Sequence, residues 1–196
     1  MIGIVNYGAG NIFSLTAALH RVGIAYGMID KVADFDLYDR IIIPGVGHAG
    51  AAMLKLQETG LVQHIIASGK PVLGICVGMQ LLTAFSEEGS AELLNIVPLK
   101  TLHFEKRIGK KVPHMGWNSI LPKKDCPLFK GISEDSYFYF VHSYFIEADE
   151  QYTSAFCTYD VVFSAALQKD NFYGVQFHPE KSGKPGEQIL LNFSQL

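Results

Sequence analysis

Gly74-Ile75-Cys76-Val77-Gly78-Met79-Gln80 is the stretch that decides how this chain is read. The apolar run from Val72 to Ile75 has the length and composition of a buried strand, and it leads directly into Cys76. Glycine stands two residues before the cysteine and two residues after it. A strand that turns at once into a helix, here from Val77 to about Phe85, needs small neighbours because the backbone is tight. Such a turn places the thiol at the carboxyl end of a strand, where open α/β sheets hold their ligands. The N–H groups at the start of the helix would favour thiolate, the nucleophilic form. Core packing is the competing explanation, since free cysteines are often buried.

Outward from this turn, strands and helices alternate. Ile2 to Asn6 is a short apolar run, followed by the loop Tyr7-Gly8-Ala9-Gly10. Asn11 is placed to cap a helix through about Arg21, with Ile12, Leu15, Ala18, Leu19 and Val22 at helical spacing. Ala25 to Ile29 and Arg40 to Ile43 read as strands, and 49 to 68 as helix interrupted near Gly60. The second half is richer in strand signals: Pro98 to Phe104, Tyr137 to His142, Thr153 to Cys157, Val161 to Gln168 and Phe172 to His178. Asp170-Asn171 fits the turn before the last of these, and a final helix fits Glu187 to Phe193. The pattern predicts one α/β domain over 1–196, a mostly parallel mixed sheet flanked by helices.

The chain of 196 residues carries 16 Lys and Arg against 19 Asp and Glu, a formal charge of −3. That balance argues against a general nucleic-acid binder. No secretory leader pattern and no apolar run of about 18 residues is present, so neither export nor a membrane span is expected. Cys76, Cys126 and Cys157 are too widely spaced for a disulfide framework or a paired-cysteine metal site. A reducing cytoplasm is the simplest compartment, and no metal or cofactor is expected. Cys126 lies in the polar loop Lys124-Asp125-Cys126-Pro127 and Cys157 in an alternating strand, and neither has a glycine-flanked turn.

A second signal is Val175-Gln176-Phe177-His178-Pro179-Glu180. A strand ends at His178, and Pro179 blocks its continuation in a sheet. Glu180 is close enough to accept an imidazole N–H, fix the tautomer and leave the other nitrogen facing a thiol. A solvated strand-end loop is the alternative. His142, in Phe140-Val141-His142-Ser143-Tyr144, is a rival base but lacks an acid two residues on; a pocket role suits it better. His114 fits a turn, a pocket or an interface. His20, His48, His64 and His103 have no supporting constellation. Charge developing on a carbonyl oxygen needs donors. The N–H of Val77 and the loop Pro44-Gly45-Val46-Gly47 are the candidates.

On Pro44-Gly45-Val46-Gly47, Gly74 to Gln80 and Phe177-His178-Pro179-Glu180, the sequence resembles the class I, triad-type glutamine amidotransferases over nearly its whole length. Val77 stands where the common turn has leucine, keeping an apolar side chain and the backbone donor. Within that family it is similar to the branch of glutaminase subunits of imidazole glycerol phosphate synthases. The discriminating stretches are Asn6 to Asn11, Pro113-His114-Met115-Gly116-Trp117-Asn118, Tyr139 to Tyr144 and His178 to Ser182. The resemblance implies a flavodoxin-like fold, attack on L-glutamine by Cys76, proton relay by His178 and orientation by Glu180. It implies that Gln80 contacts glutamine, that Gly47 helps form the oxyanion site, and that His142, Ser143 and Tyr144 line the pocket. Asn11, Trp117 and Lys181 are implied to face the partner, a separate (β/α)8-barrel cyclase subunit in a heterodimer. Ammonia would cross that barrel to a ribonucleotide, giving imidazole glycerol phosphate and an aminoimidazole carboxamide ribonucleotide. The alternatives are a glutaminase for another synthase, such as that of pyridoxal phosphate, a thiol peptidase or isomerase on a related α/β scaffold, or a non-catalytic regulatory subunit.

Overall fold

Four apolar runs form adjacent parallel strands because both of their faces are covered. In the computed structural model, which describes residues 1–123 and 125–196, these are β1 (Ile2–Val5), β3 (Arg40–Ile43), β4 (Val72–Ile75) and β14 (Phe172–Val175). Apart from the half-buried Arg40, every residue in them is buried, so they read as continuous rather than alternating hydrophobic sequence. β2 (Tyr26–Ile29) joins β1 at one edge. The order is therefore β2-β1-β3-β4-β14, all parallel.

Beyond β14 the sheet becomes mainly antiparallel. It continues through β13 (Val161–Lys169), β11 (Tyr144–Glu147), β7 (Val97–His103), β5 (Thr83–Ser86) and β6 (Ala91–Glu92). β12 (Thr153–Tyr159) pairs with β13 and with the short β9 (Leu121–Pro122). A separate ribbon pairs β8 (His114–Ser119) with β10 (Tyr137–His142). Helix α1 (Ile12–Arg21) packs against α5 (Gly183–Phe193), while α2 (Ala49–Glu58) packs against the short α4 (Val77–Leu81). A further turn of helix, α3 (Val62–Ile66), follows Gly60, whose φ of +72° breaks the expected helical region.

Several boundaries differ from those expected. The helix after Cys76 stops at Leu81 instead of near Phe85, because the Thr83 hydroxyl donates to the Gln80 carbonyl at 2.8 Å and the chain enters β5. The last strand ends at Val175, not His178. From there the Gln176 N–H turns to Ala165 and the His178 N–H to Tyr139. Residues 114–119 form a strand, and β11 adds one more that the alternation did not reveal. The final helix starts at Gly183, four residues early. Pro185 is tolerated there because first-turn N–H groups lack helical partners. Lys124, in the loop read around Cys126, lies outside the described residues.

Candidate active site

Cys76 has φ +54° and ψ −108°, a conformation that costs a non-glycine residue about 1–3 kcal/mol. The surroundings enforce it. The Cys76 N–H donates to Val175 on the adjacent strand at 2.8 Å, and its carbonyl accepts from Met79 and Gln80 at 3.0 and 3.1 Å. Both flanking glycines are required by close approach: a Cβ on Gly74 would overlap the Gly78 carbonyl, and one on Gly78 would overlap the Ile43 carbonyl.

Because β4 and β14 are parallel neighbours, with Ile75 beside Val175, their carboxyl ends bring Cys76 and His178 together. Nδ1 of His178 donates to Oε1 of Glu180 at 2.8 Å, and both side chains are almost fully buried. Nε2 of His178 is buried and closes no hydrogen bond, as is Oε2 of Glu180. Burial works to lower the His178 pKa, but the neighbouring Cys76 and Glu180 outweigh it and raise it to about 10.

A cavity of about 300 Å³ opens over the thiol. Cys76 and His178 line it with Val46, Gly47, Val77, Gln80, His142, Ser143 and Tyr144, all singled out in the sequence. Gly45 lies behind this wall, and its carbonyl accepts the N–H of Val77 at 3.3 Å. Gly47 has φ +89°, a conformation that few other residues adopt readily. Tyr7 braces this loop: its hydroxyl donates to the Pro44 carbonyl at 2.6 Å, and burial, with Cys76 second, pushes the phenol pKa upward.

His142, the rival base, uses both nitrogens. Nδ1 meets the Tyr144 carbonyl at 2.7 Å and Nε2 meets Nδ1 of His114 at 2.9 Å. Burial, first of all, depresses its pKa to about 3. Two contributors were not found from sequence. Gln176 is wholly buried and donates Nε2 to the Cys76 sulfur at 3.6 Å. Its signal was a polar residue inside the apolar strand end. Glu88 lines the cavity while Oε2 accepts the Ala49 N–H at 2.6 Å, and nothing in its acidic run marked it.

Asn11 caps α1 through the Ser14 N–H at 3.2 Å and lines a small cavity shared with His178 and Glu180. Trp117 projects from β8, 57% exposed, edge-on to Tyr139 at 6.0 Å. The Lys181 ammonium lies over the same Tyr139 ring at 5.8 Å. These residues share a rim with the exposed Met115 and Tyr137. No group of three or more potential metal ligands occurs among the described residues, and no helix there is long and apolar enough to cross a membrane.

Residues 4–195 match the family described as glutamine amidotransferase class-I. An imidazole glycerol phosphate synthase subunit HisH from Bacteroides fragilis is 46% identical over 196 residues, spanning all of this chain and 99% of its own. The subunit of that name from Haemophilus influenzae is 47% identical, over 98% of this chain and 96% of its own. The HisH 2 subunit from Pseudomonas aeruginosa is 42% identical over the full length of both. Among solved structures, a glutamine amidotransferase superposes with a TM-score of 0.76 at 15% identity, covering 100% of this chain and 99% of its own. Another, from Thermotoga maritima, gives 0.67 at 15% identity, covering 99% of this chain and 82% of its own. At that identity the structural likeness speaks for the fold.

Proposed function

Because the chain belongs to the class-I glutamine amidotransferase family, we propose that it is the glutaminase subunit of an imidazole glycerol phosphate synthase, acting as one domain over 1–196. The observation that carries the chemistry is the buried Cys76, His178 and Glu180 set at the ends of two adjacent parallel strands. Full-length identity to subunits carrying that synthase name supports the choice among glutaminases.

In this reading the Cys76 sulfur attacks the side-chain carboxamide carbon of L-glutamine, and His178 Nε2 holds the proton given up by the thiol before attack, as its raised pKa favours. Glu180 holds Nδ1 and stabilises the imidazolium. The C–N bond then breaks as His178 returns the proton to the departing nitrogen, releasing ammonia and leaving a thioester. Water, deprotonated by His178, attacks that thioester, giving glutamate and free thiol. Glu88 at the cavity wall supplies a carboxylate for the ammonium group of the substrate.

Oxyanion stabilisation is the controlled step. The Val77 N–H is committed to the Gly45 carbonyl, so a developing oxyanion has one donor fewer until the loop turns. Losing one such donor costs about 3–4 kcal/mol. The Gly45 to Gly47 segment is the switch, turned when the partner binds its ligand.

The partner is a (β/α)8-barrel cyclase, forming a heterodimer in the cytoplasm, with neither nucleic acid nor membrane involved. The exposed Trp117, Met115 and Tyr137, with Lys181 beside them and Asn11 nearby, provide the apolar centre and basic rim of its docking face. Glutamate release from glutamine, by the chain alone and with the barrel plus its nucleotide ligand, tests this. A large ligand-dependent increase is expected; no increase with the barrel bound would overturn it.

A further inference from the structure

Across the ribbon of β8 and β10, His114 stands directly opposite His142. Their contact at 2.9 Å has a defined polarity, which follows from its two ends. Nδ1 of His142 meets the Tyr144 carbonyl, which only accepts, so that nitrogen carries the proton. Burial, aided by the His114 ring and the His178 charge, keeps His142 neutral. Burial, aided by Lys110, does the same for His114. Nε2 of His142 is then a lone pair, and Nδ1 of His114 is the donor to it. Nε2 of His114 must accept, and it faces the Asn118 amide nitrogen at 3.3 Å. That amide is itself oriented: Nδ2 donates to Thr158 at 3.1 Å and Oδ1 accepts from Ser119 at 2.9 Å.

The other end of the chain reaches the thiol. The Tyr144 carbonyl also accepts from Nε2 of Gln80 at 3.3 Å. The same nitrogen donates to Oε1 of Gln176 at 3.1 Å, which leaves Nε2 of Gln176 for the Cys76 sulfur. Every link has one permitted direction: donation runs from the Asn118 amide through both rings to the Tyr144 carbonyl, and from Gln80 both to that carbonyl and, through Gln176, to the sulfur.

We propose that His114 and Asn118 are positioning residues of the thiol pocket. They fix His142 in one tautomer, and His142 holds the Tyr144 carbonyl where it orients Gln80, Gln176 and thereby the Cys76 sulfur. Packing alone does not require this histidine. The His114 ring stacks between Phe140 at 4.8 Å and Tyr159 at 4.2 Å, contacts made by its faces and not by its nitrogens. The inference rests on Cys76 being the nucleophile and extends its support to the ribbon that carries Trp117.

His114→Phe keeps the stack and removes both nitrogens. In the complex with the cyclase barrel it is expected to lower kcat about 5- to 10-fold, the scale of one buried hydrogen bond, with KM changed less than about twofold. Iodoacetamide alkylation of Cys76 slows with it, because the Gln176 donor to sulfur is misplaced. Asn118→Leu, which leaves both rings in place, gives a smaller change in the same direction. In nitrogen-15 spectra of the unsubstituted chain, His114 and His142 are both Nδ1–H tautomers. An Nε2–H tautomer at either ring overturns the proposal, as do unchanged kcat and alkylation in folded His114→Phe protein. Should that variant fail to fold, the tautomers and Asn118→Leu still decide. Alkylation and tautomers need no glutamine turnover, so absent glutamate release from the unsubstituted complex counts against the glutaminase reading instead.

Discussion

The N–H of Val77, the residue after Cys76, is held by the Gly45 carbonyl at 3.3 Å. An isolated chain with this bond in place should release glutamate slowly. Adding the liganded barrel should raise the rate by about 10²- to 10³-fold, the worth of one oxyanion donor. Amide hydrogen exchange checks the cause, since Val77 should lose protection as activity appears.

Cys76→Ala should abolish glutamate release, by at least about 10³-fold, while the barrel still binds. Full turnover by this variant would remove the thiol from the mechanism. The readout is glutamate formation beside the retained mass of the complex.

Glu180→Gln tests the imidazolium directly. His178 has a folded pKa of about 10 against an ordinary 6.5, despite burial, because Cys76 and Glu180 favour its charged form. A raised pKa stabilises the native state fully below 6.5, and that contribution is lost as pH rises through about 10. The stability gap between unsubstituted and Glu180→Gln protein should therefore shrink across this window. Urea unfolding at its two ends measures the gap.

Glu88→Gln removes one charge while keeping an acceptor for the Ala49 N–H. If Glu88 receives the substrate ammonium, KM for glutamine should rise about tenfold or more with little change in kcat, as for the loss of a charged hydrogen bond. Initial-rate kinetics on the complex separate the two constants.

Gly78→Ala forces a methyl group into the Ile43 carbonyl. Overpacking of this kind costs about 1–3 kcal/mol, and here the obstacle is backbone, which yields least. Thermal unfolding should show a lowered midpoint, with glutaminase activity falling because the Cys76 turn is displaced.

The legibility of the sequence was uneven for physical reasons. Buried parallel strands announce themselves as apolar runs, so the half of the sheet holding Cys76 was readable. The turn at Cys76 was marked by glycines that a crowded backbone demands. β11 was hidden because it follows β10 after the single residue Ser143, with no turn residues between them. Gln176 and the partnership of His114 with His142 were hidden because they arise from cross-strand neighbours, which sequence spacing does not encode.

β14 lies between β4 and β13, so among the described residues the two halves of the sheet meet only through it. It also leads into His178, which lines the same cavity as Cys76 although 102 positions separate them. During synthesis, a ribosome-bound chain that has not yet released 172–180 carries Cys76 without His178 and the sheet without its central joint. On the proposed roles, the segment that joins the two halves of the sheet is also the one that delivers His178, so a chain lacking it lacks both.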